Sequence, residues 1–400
     1  MCSIGYKRAA PCIGKIDMST SYDVIVVGLG AMGSATTYDL AKRGLRVLGL
    51  ERFTPAHDQG SSHGRSRIIR QAYMEHPDYV PLLLRAYELW AEIEQASGQS
   101  LLTITGGLMM GRAGSHVVTG SQRSAQEHNL PHEMLNADEI RRRYPEFRPN
   151  DDTVALFCPN DGLLDPEASI RAYHAQAAAL GADLHFGEPM LQWQPDGDGV
   201  RVTTAQGSYH ASRLVLSVGA WAPEILADLN LPLAVERRVL YWFEPQNGTA
   251  AFQPDRFPIY IWETPMGFDM YGFPAQDGPP GGVKVAFHNI GDEDRCTPDT
   301  IDREVRPAEI ARIRDMLSQT IPSLNGELLA TATCMYTLTP DHHFLVGLHP
   351  QHSQVVLASP CSGHGFKFAS VMGEILADLA QQGSTRHPIS LFDINRFAKQ

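Results

Sequence analysis

Tyr22-Asp23-Val24-Ile25-Val26-Val27 is an almost unbroken apolar run, and it ends on Gly28-Leu29-Gly30-Ala31-Met32-Gly33. An apolar run closed by glycines predicts a strand buried on both faces, a tight turn and then a helix. Val47-Leu48-Gly49-Leu50-Glu51 repeats the buried-strand pattern and finishes on an acid. Further on the period changes. Over 79–96, Leu82, Ala86, Leu89 and Ile93 recur at i, i+4, i+7 and i+11, which predicts a helix stopped by Gly98. Residues 101–111 read as strands around a Gly106-Gly107 turn.

Asp165-Pro166-Glu167 supplies an N-cap, a proline at the first helical position and an early acid. The helix so begun runs to Gly181, and 182–186 is a short strand. Residues 199–204 and 208–211 form a hairpin pattern, and Leu214-Val215-Leu216-Ser217-Val218-Gly219 is another buried strand. From 231 to 333 aromatics and strand formers dominate, as in Tyr241-Trp242-Phe243 and Met270-Tyr271-Gly272-Phe273, predicting a mainly antiparallel sheet with few helices. The tail returns to strand-then-helix logic: Val355-Val356-Leu357-Ala358, then a helix with Phe368, Val371, Met372, Ile375, Leu376 and Leu379 on one side.

Composition narrows the function classes. With 43% apolar and 20% charged residues over 400 positions, the chain reads as a soluble globular protein of two domains. A net charge of -12 without a basic tract argues against nucleic acid or an anionic membrane as partner. Residues 1–20 carry three basic side chains but no sustained apolar stretch, so they read as a disordered leader rather than a secretory signal, with Met18 an alternative start. A cytoplasmic location is expected. The six cysteines are widely spaced and include no C-x-x-C, which fits neither a disulfide framework nor a zinc site. His349, His352 and the other scattered histidines read as surface residues, and no metal is expected.

The opening unit carries chemistry. Gly28 suits the tight turn, Gly30 lets a pyrophosphate approach the backbone, and Gly33 lets helix and strand pack closely. Glu51, 18 residues past Gly33, is placed to accept ribose hydroxyls of a dinucleotide. This pattern does not separate NAD from FAD. An NAD enzyme usually completes its nucleotide fold in one stretch, so a unit that closes only with the last helix favours FAD. The expected fold is α/β (α+β, two-domain): a discontinuous Rossmann-type FAD-binding domain over 21–90, 150–230 and 334–400, and a mainly antiparallel substrate domain over 91–149 and 231–333.

Three separated segments sharpen this: Gly60-Ser61-Ser62-His63-Gly64-Arg65-Ser66-Arg67-Ile68-Ile69-Arg70; Cys334-Met335-Tyr336-Thr337 followed by Asp341-His342-His343-Phe344; and Ser362-Gly363-His364-Gly365-Phe366-Lys367-Phe368. In this order they resemble the signatures of the monomeric sarcosine oxidase and N-methyltryptophan oxidase family, within the D-amino acid oxidase-like flavoproteins. The resemblance spans nearly the whole chain. It implies that Cys334 carries FAD through a thioether, with Arg67 and His63 beside the ring and Gly363, His364 and Gly365 at the cofactor. It implies that Arg70 and Lys367 hold a substrate carboxylate, and that Tyr271 and Tyr336 line the pocket. Lys284 would lie under the flavin and His288 on the substrate side. The roles suit the residue types. An arginine fork offers a carboxylate two charge-assisted donors at once, and the helix after Gly365 aims its positive end at the reduced ring.

The chain also departs from the family pattern. Ser62 stands where relatives often have histidine, Arg65 where they have an acid, and Gly347 where an acid follows the Phe344-Leu345-Val346 strand. Two extra residues fall near Pro279 and Pro280. The resemblance implies an FAD oxidase of secondary amines that turns an N-methyl amino acid and O2 into amino acid, formaldehyde and hydrogen peroxide, working as a monomer. Two alternatives stay open: an oxidase of a cyclic or glycated amine (pipecolate, proline, a fructosyl amino acid), and a flavin-binding electron-transfer subunit.

Overall fold

The computed structural model describes residues 21–278, 280–289, 294–359 and 362–397. The expected leader, and with it Met18, lies outside them, as does Pro279.

The apolar runs become the centre of one sheet. Strand Ser21–Val27 lies between Val47–Glu51 and Ser208–Leu216, parallel to both, with Asp183–Phe186 outside Val47–Glu51. Strand Ser208–Leu216 does double duty. Its first half takes Gly199–Thr203 antiparallel, and its second half pairs parallel with His352–Ser359. The second arm of the expected hairpin and the buried strand after it are therefore one continuous strand. Helix Ala31–Lys42 packs against both Pro166–Ala179 and Ala369–Gln382 beside this sheet. The last is buried along nearly its whole length, which is why its sequence is apolar on more than one face.

A second sheet runs Glu327–Leu338, Ala234–Glu244, Val283–Asn289, Asp269–Ala275, Ile259–Glu263, Gly107–Arg112, Thr153–Cys158 and Glu133–Asn136. All its pairings are antiparallel except that of Ile259–Glu263 with Gly107–Arg112. Within 231–333 the single long helix among the described residues is Pro307–Thr320.

Three expected boundaries shift. The break at 333/334 falls inside strand Glu327–Leu338, so Cys334 belongs to the antiparallel sheet, opposite Arg238. The break at 150 assigns Thr153–Cys158 to the wrong sheet, since it pairs with Gly107–Arg112. The break at 90/91 cuts helix Val80–Ser97, whose buried face packs on Ala369–Gln382. In each case the deciding partner lies far away in sequence. Leu102–Ile104 and Gly107–Arg112 likewise flank the glycine turn without pairing with each other: the chain changes sheet there.

Candidate active site

Between the two sheets lies a cavity of about 510 Å³. Gly28, Gly30 and Glu51 line one end; Arg67, Arg70, Tyr271, His288, Cys334, Tyr336 and Lys367 line the other, with Gly363, His364 and Gly365.

At the first end Gly28 has φ +87, and a Cβ there would sit 2.6 Å from the Ser217 carbonyl oxygen. A Cβ on Gly33 would come 1.8 Å from the Gly28 oxygen, so Gly33 serves helix packing and does not line the cavity. A Cβ on Gly30 would meet only Ser62 Oγ, at 3.8 Å, which leaves this backbone open to a close-lying ligand. Glu51 accepts from the Leu29 amide at 2.8 Å and the Phe53 amide at 3.0 Å. Burial opposes its ionisation, but His57 and these two amides outweigh burial and hold the carboxyl below its usual range. Three lining residues, Arg70, Trp221 and Thr337, carry a buried polar atom with no hydrogen-bond partner among the described residues. An open glycine cradle, a fixed acid and unmet polar atoms fit an elongated dinucleotide such as FAD.

At the other end Cys334 Sγ lies 3.8 Å from Arg67 Nη2. The guanidinium is fixed by the carbonyls of Ser66 (2.8 Å) and Ser61 (2.7 Å), so positive charge stands beside the sulfur. Lys284 and His63 sit just behind the lining. Lys284 Nζ donates to the carbonyls of Gly64 and Ser66, both at 2.8 Å. Burial, with Arg67 close by, pushes its ammonium well below the ordinary lysine range. His63 is neutral: burial first, then Arg67, brings it down to about 3.

Arg70 is 1% exposed, and it is not free. Its Nη2 donates to both oxygens of Glu75, at 2.7 and 2.6 Å, and the Tyr73 ring lies 4.1 Å beneath the guanidinium. Although burial works against the Glu75 carboxylate, Arg70, His364 and Lys367 hold it well below the usual carboxylate range. Lys367 Nζ donates to the His364 carbonyl at 2.6 Å, and burial followed by Arg70 lowers it to about 7. His364 Nε2 faces the His342 carbonyl at 3.0 Å, so it carries the proton and Nδ1 accepts from Tyr73 Oη at 2.6 Å. Tyr336 Oη and His288 Nδ1 are 3.3 Å apart, and burial brings His288 down to about 4. Gly363 has φ +78, and a Cβ there would strike the Tyr336 ring at 2.6 Å.

The sequence reading missed Glu75 and Arg238. Glu75 had a signal: an acid in the otherwise uncharged Gln71-Ala72-Tyr73-Met74 stretch, five residues after a site arginine. Arg238, whose guanidinium lies 5.0 Å over the Tyr336 ring and whose Nε donates to the His288 carbonyl, had none. His349 is a correction. It is 2% exposed rather than on the surface, because Trp193 and His352 pack edge-on and tilted against its ring. Among the described residues no group of three metal-ligating side chains occurs, and no helix is long and apolar enough to cross a membrane.

The chain is 54% identical to a monomeric sarcosine oxidase of Streptomyces avermitilis over 95% of its length and 99% of the relative's. It is 44% identical to a monomeric sarcosine oxidase of a Bacillus species, over 95% and 97%. It is 34% identical to an N-methyl-L-tryptophan oxidase of Salmonella heidelberg, over 94% and 100%. Among solved structures, NikD, described as an unusual amino acid oxidase essential for nikkomycin biosynthesis, matches with a TM-score of 0.80 at 29% identity, over 93% of this chain and 97% of that one. The family model described as FAD dependent oxidoreductase matches residues 23–379, and with the open glycine cradle and the acid beyond it, the chain belongs to the FAD-dependent oxidoreductases.

Proposed function

We propose that this chain is an FAD-dependent oxidase of secondary amines that demethylates an N-methyl amino acid, with the flavin attached at Cys334. The observation that carries the reading is the cavity end where Arg67 stands 3.8 Å from Cys334 and Arg70 and Lys367 line the same wall. The single cation Arg67 suits the sulfur and a cofactor, and the pair Arg70 and Lys367 suits a carboxylate. The likeness to curated sarcosine and N-methyltryptophan oxidases over nearly full length supports the substrate class, and the name of the nearer relatives supports a monomer.

Arg70 and Lys367 would bind the substrate carboxylate, Arg70 exchanging Glu75 for it. Burial against aromatic rings keeps water away, which strengthens both contacts. Burial lowers His288 to about 4, which makes it a poor base at neutral pH, so with Tyr336 it would orient the amine by hydrogen bonding. Bound FAD supplies the redox chemistry, accepting two electrons from the amine and passing them to oxygen. Lys284 would supply the positive charge that favours reduction of oxygen.

A panel of N-methyl, cyclic and glycated amino acids, read for peroxide and formaldehyde together, tests the reading. Sarcosine or another N-methyl amino acid is expected to give both in equal amounts. Peroxide without formaldehyde, or turnover only with a dye acceptor, would overturn it.

A further inference from the structure

Glu167 does not line the cavity, yet its carboxylate reaches the loop that does. Oε1 accepts from the Gly64 amide at 2.7 Å, and both oxygens accept from the Arg65 amide, at 3.2 and 3.1 Å. The carbonyls of the same turn face the other way. Gly64 O and Ser66 O each hold Lys284 Nζ at 2.8 Å, and Ser66 O also holds Arg67 Nη1 at 2.8 Å. The turn is thus gripped by a carboxylate on its amide side and by two cations on its carbonyl side.

The turn needs holding. Arg65 has φ 65, a left-handed conformation unfavourable for a non-glycine residue that persists where the surroundings over-determine it. Gly64 has φ +94, and a Cβ there would come 2.7 Å from Leu240 Cδ1 and 3.5 Å from Lys284 Nζ. Nor is Glu167 occupied with capping its own helix, Pro166–Ala179: the Asp165 side chain does that, accepting from the Ala168 amide at 2.9 Å.

We propose that Glu167 is a positioning residue: by clamping the Gly64–Ser66 turn it sets where Lys284 and Arg67 stand relative to Cys334. The proposal rests on the roles assigned above to those three residues. Glu167→Gln keeps the shape but puts an amide donor against two backbone donors, so the turn should relax and carry both cations with it. Reconstitution of the apoprotein with FAD is expected to form acid-precipitable flavin about tenfold more slowly. Reoxidation by O2 is expected to slow about tenfold, while anaerobic reduction by substrate changes less than twofold. Because Glu167 acts through the lysine, Glu167→Gln/Lys284→Met should reoxidise no more slowly than Lys284→Met alone. A merely structural carboxylate would lower the melting temperature and leave these ratios unchanged.

Normal attachment and reoxidation in folded Glu167→Gln, or additive losses in the double variant, would overturn the proposal. So would loss of soluble protein in both Glu167→Gln and Glu167→Ala, which would make the contact a folding determinant. A normal Lys284→Met would instead show that the reading of Lys284 is at fault. The attachment assay then decides the clamp alone, with normal attachment in Glu167→Gln overturning it.

Discussion

Glu75 holds Arg70 by two hydrogen bonds, at 2.6 and 2.7 Å, inside the cavity wall where a substrate carboxylate would have to bind. Removing one partner of a buried pair leaves the other charge uncompensated, at about 3–5 kcal/mol. Glu75→Gln should therefore destabilise the ligand-free protein and at the same time release Arg70 to an incoming carboxylate. We expect a lower melting temperature without ligand, and binding of a simple carboxylate such as propionate, followed through flavin absorbance, to tighten about tenfold. Weaker binding would mean that Glu75 orients Arg70 for substrate rather than competing with it.

The same pair bears on acid stability. Glu75 has its folded pKa depressed from 4.5, so its contribution is complete above that value and is lost as pH falls toward the folded one. Lys367 bears on binding at the alkaline side. Its ammonium is lowered to about 7, and only the protonated form attracts a carboxylate. Raising pH through about 7 should therefore raise KM for N-methyl amino acids, with kcat affected less. The limb should flatten in Lys367→Met, whose KM is already high; an unchanged limb in that variant would assign it to another group.

How much of this was legible differs by element. The strand Ser21–Val27, the glycine turn and the helix Ala369–Gln382 follow from local apolar period, which a sequence displays directly. Cys334, Arg67, Arg70 and Lys367 were named from motifs far apart in sequence, and the fold does bring them to one cavity. What stayed hidden depends on distant pairing. Nothing around Cys334 says that its strand lies opposite Arg238, nor around Thr153 that its neighbour is Arg112. The burial of His349 depends on Trp193 and His352, and only the fold brings Trp193 to it.

Cys334 is buried beside one cation and is a free cysteine among the described residues. Acid precipitation of the holoprotein should leave the yellow colour in the pellet, and Cys334→Ser should move it to the supernatant. Arg67→Met should attach flavin more slowly, because the guanidinium that stands 3.8 Å from Sγ is gone. Flavin released by acid from the unaltered protein would refute attachment at this residue.

Lys284 is the remaining test, and its position makes the expectation specific. It stands behind the lining, anchored to two carbonyls, with Phe273 4.8 Å from its Nζ and Arg67 nearby. Electrons passing to oxygen develop negative charge on it, so a fixed cation lowers the cost of that half-reaction, whereas amine oxidation gains nothing from it. Preorganised charge in a water-poor site is worth about 3–4 kcal/mol, or a hundred- to a thousandfold in rate. Lys284→Met, which keeps the length and removes the charge, should slow reoxidation by about that factor and leave anaerobic reduction nearly unchanged. The pH dependence follows from the same burial. The ammonium loses its proton well below the ordinary lysine value of 10.5, so reoxidation of the unaltered enzyme should fall as pH rises, at a pH clearly under 10.5, and Lys284→Met should show no such fall. Stopped-flow measurement of the two half-reactions across pH decides it. A large loss in reduction with normal reoxidation would move Lys284 from oxygen chemistry to substrate binding.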